Sequence, residues 1–364
     1  MHIADMLAIR PVPAAGLFLT LTRRCPLACA HCCTNSMLSS EQHSAEPFER
    51  LVDTFTSVNH PELVLFTGGE PLLRPGLVRA LAARSREAGT VTSLITGGYF
   101  ARETAKVSTA LWSALTGVNH VAFSLDIFHE RQIGRKAVFA VVAKLLEAGQ
   151  AVSFQLVGTG AADPYLADVT TDIRRTFCDA VPALVVKLGA VGRGADLLDP
   201  PPPKCPTRRC ADPCTMAAWP TVTFDGTVVA CCNQQVVDGP SPPHLRLGHT
   251  AELTWAEIAA QVQGNQLLRA LRVFGPQYLV AADAGMLPAP CGYCESCYQI
   301  PARPSALAEV IRLTTRPTFD VVEQQAIDIQ AAAGAHGFAT TFGISEYAHM
   351  VMLGYSGRSQ AWPS

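Results

Sequence analysis

The sequence predicts an α/β fold: a partial, TIM-like (β/α)6 barrel followed by a cysteine-rich C-terminal module. Three observations carry this. Short apolar runs alternate with stretches of helical period through the N-terminal half. The alternation then stops at a proline run, Pro200-Pro201-Pro202-Pro203. Beyond it, eight of the chain's 13 cysteines fall between Cys205 and Cys297.

The first strand is expected over Phe18 to Thr22, running directly into a cysteine group. A helix is expected over Pro47 to Val58, with Phe48, Leu51, Val52 and Phe55 on one face. Further strands are expected over Leu63 to Phe66, Val91 to Ile95, His120 to Leu125, Ala151 to Val157 and Ala183 to Leu188. Helices over Gly76 to Ala88, Thr104 to Leu115, Lys136 to Ala148 and Ala167 to Cys178 separate them. Strands buried on both faces read as continuous apolar runs, so the alternation implies a parallel sheet. Six units fall short of a closed eight-unit barrel. Ligands in such sheets bind at the carboxyl ends of the strands, where the polar and glycine groups sit here. The expected division is residues 1–15 as an N-terminal segment, 16–200 as the barrel, 201–300 as the cysteine-rich module and 301–364 as a mostly helical tail.

The chain has 364 residues, 49% hydrophobic and 16% charged, with a formal net charge of −2. That composition argues against disorder and gives no support to a nucleic-acid partner. The run Gly16 to Leu21 is too short for a membrane span or a signal sequence, so a cytoplasmic protein without a membrane partner is expected. Thirteen cysteines in a chain this long point to metal-ligating thiolates rather than to a disulfide scaffold. Cys178, alone in a helical stretch, reads as a core residue.

Cys25, Cys29 and Cys32 have C-x3-C-x2-C spacing on a loop after the first strand. Three thiolates this close can face one side of an iron–sulfur cubane and leave one iron free for another ligand. Zinc completed by His31 is the alternative. The motif resembles that of the radical SAM superfamily, with His31 where the family usually has an aromatic residue. The resemblance implies a [4Fe–4S] cluster and S-adenosylmethionine (SAM), cleaved to methionine and a 5′-deoxyadenosyl radical. Thr67-Gly68-Gly69-Glu70 after the second strand resembles the family's GGE motif, which implies backbone groups and a carboxylate for the SAM ammonium. Ser124 and Asp126 close the fourth strand, where a carboxylate could receive ribose hydroxyls; His129 and Glu130 follow within reach of substrate. The plain alternative for Asp126 is a helix N-cap. Gly192 and Arg193 resemble the family's sixth-strand segment near adenine, with Arg193 placed to pair with a carboxylate.

The second set comprises Cys205, Cys210, Cys214, Cys231, Cys232, Cys291, Cys294 and Cys297. Asp225-Gly226 signals a hairpin whose return strand leads to Cys231. The arrangement resembles the SPASM and twitch extensions of radical SAM enzymes, which implies one or two auxiliary [4Fe–4S] clusters. A four-cysteine zinc site is the alternative. The resemblance implies oxidative crosslinking or other maturation of a ribosomally made peptide. The second enzyme reading is radical oxidation, epimerisation or rearrangement of a small molecule; a non-catalytic electron carrier is a third. An external donor such as flavodoxin or ferredoxin is implied. No leader-peptide-binding domain is read before the first strand, which weakens the peptide reading, though a separate leader-peptide-binding protein can fill that role.

Overall fold

A computed structural model describes residues 1–198, 210–281 and 292–357 of the chain. The proline run, Cys205 and Cys291 lie outside these residues.

The six expected strands form: β1 (Gly16–Thr20), β2 (Leu63–Thr67), β3 (Val91–Thr96), β4 (His120–Ser124), β5 (Ala151–Gly158) and β6 (Ala183–Lys187). Each pairs in parallel with the next. The sheet continues into the cysteine-rich region. There β7 (Thr221–Val222) lies parallel to β1, and β8 (Thr227–Val229) and β9 (Arg246–His249) follow antiparallel. The strand order is β6-β5-β4-β3-β2-β1-β7-β8-β9. The Asp225-Gly226 hairpin forms as the sequence predicts, with Gly226 at φ 95° and its N–H donating to the Thr223 carbonyl at 3.0 Å.

Alternation along each strand separates two faces. Leu17, Leu19, Val64, Phe66, Leu94, Val121, Phe123, Val152, Phe154 and Val185 join the core beneath the outer helices. Their neighbours Phe18, Leu65, Ser93, Ile95, His120, Ala122, Gln155 and Leu184 face a lumen. The outer helices are α2 (Glu46–Val52), α3 (Pro75–Glu87), α4 (Thr109–Gly117), the single turn α5 (Ile127–Glu130), α6 (Arg135–Glu147) and α7 (Pro164–Phe177).

Three helical expectations change. α2 stops at Val52, where the Thr54 hydroxyl donates to the Leu51 carbonyl and the chain turns between Thr56 and Asn59. α4 starts at Thr109 because the Ser108 side chain caps it through the Leu111 N–H. Cys178 is exposed, not in the core; it ends α7 in the left-handed region at φ 50°.

The floor of the barrel is covered by a helix that the sequence reading missed, α1 (Ile3–Ala8), whose Ile3 and Met6 pack with Leu63, Val91 and Trp219. After α8 (Gln234–Asp238) and α9 (Trp255–Gly264) comes α10 (Gln266–Val280), broken at Gly275-Pro276. Gly275 has φ 74°, and a Cβ there would stand 1.8 Å from the Asp212 carbonyl oxygen, so only glycine lets the two segments touch. α11 (Tyr293–Gln299), α12 (Pro304–Thr314) and α13 (Phe319–Phe342) complete the C-terminal part. α13 has its own break at Gly334 and packs on α1. No helix among the described residues is long and apolar enough to cross a membrane.

Candidate active site

At the carboxyl ends of the strands lies a cavity of ≈ 450 Å3. Cys25, Cys29 and Cys32 all border it, on the loop after β1. The thiols carry N–H and O–H neighbours: Leu27 N–H to Cys25 Sγ (3.4 Å), Gln132 Nε2 to Cys29 Sγ (3.2 Å) and Thr34 Oγ1 beside Cys32 Sγ (3.2 Å). Such donors suit thiolates better than thiols. Burial pushes the metal-free Cys25 thiol up to about 12, so a bound metal would displace its proton. Cys33 also borders the cavity, with an exposed side chain.

Backbone contacts hold the loop. Gly69 N–H donates to the Thr22 carbonyl (2.7 Å) and Glu70 N–H to the Arg24 carbonyl (2.8 Å). A Cβ on Gly68 or Gly69 would stand 2.4 Å from the carbonyl oxygens of Thr22 and Arg24 respectively. Both glycines therefore serve close approach to the cysteine loop, and Thr67, Gly68 and Gly69 line the cavity.

Glu70 sits differently from the expectation. It is fully buried and outside the cavity wall; its carboxylate accepts from Leu72 N–H (3.0 Å), Thr96 Oγ1 (2.9 Å) and Gly97 N–H (2.9 Å). Burial raises its pKa to about 7 against those donors. In this position it ties the ends of β2 and β3 together. Among the described residues Arg193 meets carbonyls: Nε donates to Cys29 O (3.0 Å) and Nη1 to Ser36 O (3.1 Å). Its backbone N–H reaches Cys32 O (2.9 Å), and Gly192 presses on the same carbonyl. Both residues brace the loop from behind.

Asp126 forms the N-cap that the sequence offers and also meets two imidazoles. Its Oδ1 caps α5 through the N–H groups of Phe128 (2.9 Å) and His129 (3.0 Å). Its Oδ2 lies 2.8 Å from His129 Nδ1 and 3.1 Å from His31 Nε2. Although burial opposes ionisation, the two imidazoles hold its carboxyl well below the usual range. Burial also opposes protonation of His129, but Asp126 and the Cys29 thiol raise it to about 10. The His31 ring stacks on Phe128 at 4.6 Å, and its Nδ1 is buried without a partner among the described residues. Asp126, His129 and His31 all border the cavity, as does Ser124. Glu130 turns away to Arg135 (3.0 Å) and Tyr165 (2.6 Å).

Comparison with known proteins fits this geometry. Residues 19–165 match the radical SAM superfamily. These residues form a radical SAM domain. Within the chain, 121 residues are 40% identical to the GTP 3′,8-cyclase of Streptomyces coelicolor, covering 31% of this chain and 33% of that one. Another 35% identity over 114 residues links it to the PqqA peptide cyclase of Streptomyces rochei, covering 31% and 30%. The chain thus spans about a third of the length of these relatives. The fold extends further: Streptococcus suis SuiB bound to S-adenosylmethionine superposes with a TM-score of 0.53 at 12% identity, over 84% of this chain and 78% of that one.

The residues of the radical SAM domain fit the [4Fe–4S] cluster and SAM that its family requires. Three thiols open on one cavity, and the orphaned His31 Nδ1 in its wall has hydrogen-bonding capacity left for a ligand.

A second thiol group forms in the C-terminal part. Cys214 precedes the 3-10 turn Thr215–Ala218, with its N–H on the Leu271 carbonyl (3.0 Å). Cys231 follows β8, and Cys294 and Cys297 are one turn apart on α11. Burial pushes all four thiols up, Cys297 to about 12, and Cys214 raises each of the other three. Asn233 bonds both Cys231 Sγ (3.3 Å, backbone) and Cys294 Sγ (3.4 Å, side chain). Cys232 instead lies beside Arg10 (3.5 Å) and Met216 (3.8 Å), and Cys210 is exposed.

Sequence reasoning missed several residues here. Gln132 touches the loop twice, at Cys29 Sγ and through Ala28 N–H (2.9 Å). Gln234, just past Cys231 and Cys232, reaches across to the cavity beside the first cysteine loop. Neither carries a sequence signal, because each arrives from a distant element.

Proposed function

We propose that this chain is a radical SAM enzyme that abstracts hydrogen from a substrate held in the barrel lumen, and that the substrate is a ribosomally made peptide. The observation that carries the reading is the convergence of Cys25, Cys29 and Cys32 on one cavity with the strand-end glycines and the His31–Asp126–His129 group. When bound, the cluster supplies an electron from an external donor such as flavodoxin or ferredoxin, and SAM supplies a primary carbon radical. The three thiolates hold the cluster. Gly68, Gly69, Gly192 and Arg193 fix the loop that carries them. Asp126 sets the orientation of His31 and His129 in the cavity wall, and the lumen keeps water from the reacting carbon.

Cys214, Cys231, Cys294 and Cys297 are the ligands we assign to one auxiliary cluster. Four thiols complete a [4Fe–4S] centre without help, while Cys232 is drawn toward Arg10. Cys205, Cys210 and Cys291 remain candidates for a second cluster. A peptide substrate is supported by the PqqA peptide cyclase relative and by the solved complex of SuiB with its precursor peptide SuiA. The GTP 3′,8-cyclase relative favours the small-molecule reading.

Electron paramagnetic resonance on anaerobically reconstituted, dithionite-reduced protein tests the assignment. Adding SAM should change one cluster signal, and Cys29→Ala should remove that signal while leaving the auxiliary one. A spectrum insensitive to SAM would contradict the reading.

A further inference from the structure

The lower half of the lumen holds polar groups that the reading above does not use. It is a cavity of ≈ 220 Å3 beneath Ile95, Gln155 and Leu184, which also border the upper cavity. The two spaces therefore meet inside the barrel. The lower walls are mostly apolar, and Arg10 and His120 interrupt them.

Arg10 is only 3% exposed, and its neighbours among the described residues carry no carboxylate. Nη1 donates to the Thr215 carbonyl (3.1 Å), and Nη2 to Met216 Sδ (3.3 Å) and Cys232 Sγ (3.5 Å). The guanidinium carbon lies 4.5 Å from the Trp219 ring centre and 5.4 Å from that of Phe18. Three of five N–H donors are thus engaged among the described residues, leaving two for a further partner. A buried cation whose hydrogen-bond acceptors include no carboxylate is costly until an anion joins it.

His120 is 1% exposed, with Nδ1 3.0 Å from Ser93 Oγ and Nε2 without a partner among the described residues. Burial holds the ring neutral, with its pKa lowered to about 3. When Nδ1 accepts the Ser93 hydroxyl, Nε2–H remains as a donor into the cavity.

We propose that the floor of the lumen anchors a substrate carboxylate, which accepts hydrogen bonds from Arg10 and His120 Nε2 while the substrate's apolar body rises past Ile95 and Leu184 toward the three-cysteine loop. The proposal rests on the reading of the lumen as the substrate cavity. It defines the substrate class as an acid with an apolar body, either an acidic residue of a peptide or a free small acid.

The test is calorimetric titration of the reconstituted protein, without SAM or reductant, using benzoate and its neutral counterpart benzamide. Because no cleavage is involved, a failure of the radical reading leaves this result unaffected. Benzoate should bind at least about tenfold more tightly than benzamide. Arg10→Met should abolish that preference and Arg10→Lys should keep most of it. Ala122→Leu, which leaves Arg10 untouched and narrows the cavity, should weaken both ligands. N-acetylglutamate α-amide binding more tightly than benzoate assigns the acid to a peptide; the reverse assigns a free acid. Equal affinities for benzoate and benzamide, no benzoate binding, or unchanged benzoate affinity in a folded Arg10→Met protein would overturn the proposal. That last outcome together with an altered cluster absorption would assign Arg10 to the auxiliary cysteines alone.

Discussion

A Cβ on Gly192 would stand 2.3 Å from the carbonyl oxygen of Cys32. Through this contact the turn after β6 supports the last cysteine of the loop, β6 lying five strands away from β1 in the sheet. Gly192 also has φ 55°, a conformation that costs an L-residue on the order of 1 kcal/mol. Gly192→Ala should therefore displace the loop. We expect the purified variant to lose the iron of the first site while keeping that of the auxiliary site, read as iron per chain after reconstitution.

The two functions of Asp126 can be separated. Asp126→Asn keeps the cap on Phe128 and His129 but weakens the hold on both imidazoles, at a cost of about 1–3 kcal/mol. Asp126→Ala removes the cap as well and should cost about 1 kcal/mol more. Urea unfolding of the three proteins checks the order. SAM affinity should fall already in the Asn variant, because His31 loses its anchor.

The distribution of these residues explains what could be read from the sequence. The six strands were legible because both faces of a barrel strand are apolar or small, so Val64, Phe66, Val121 and Phe154 sit in continuous runs. The cysteine loop was legible because ligand spacing is local. The orientation of Glu70 was not, since it depends on Thr96 and Gly97 at the end of the next strand. Arg10 resembles any arginine between a short helix and a proline; the partners that bury it include Trp219 and Thr215, over 200 residues away. His120 reads as the first residue of an apolar strand, and its inward side follows from register alone.

His120 predicts a pH effect. Its folded pKa of about 3 lies below the ordinary value of 6.5, so the unfolded chain binds the extra proton as pH falls. Stability from this residue is intact above about pH 6.5 and declines from there toward pH 3. Between pH 7.5 and 5.5 the loss should be on the order of 1 kcal/mol. His120→Gln should remove that part of the slope, measured as the difference in urea midpoints between the two proteins at both pH values.

Gln132→Leu removes a donor from the Cys29 sulfur without touching a ligand. Hydrogen bonds to cluster sulfurs raise reduction potential, so the first cluster should become harder to reduce. Redox titration followed by paramagnetic resonance should show a shift to more negative potential for that signal and none for the auxiliary one.

The most direct measurement is 5′-deoxyadenosine after incubating the anaerobically reconstituted protein with SAM and a low-potential reductant. The wild-type protein should form it along with methionine, and Cys29→Ala should form none. A fully loaded wild-type protein that leaves SAM intact would contradict the account.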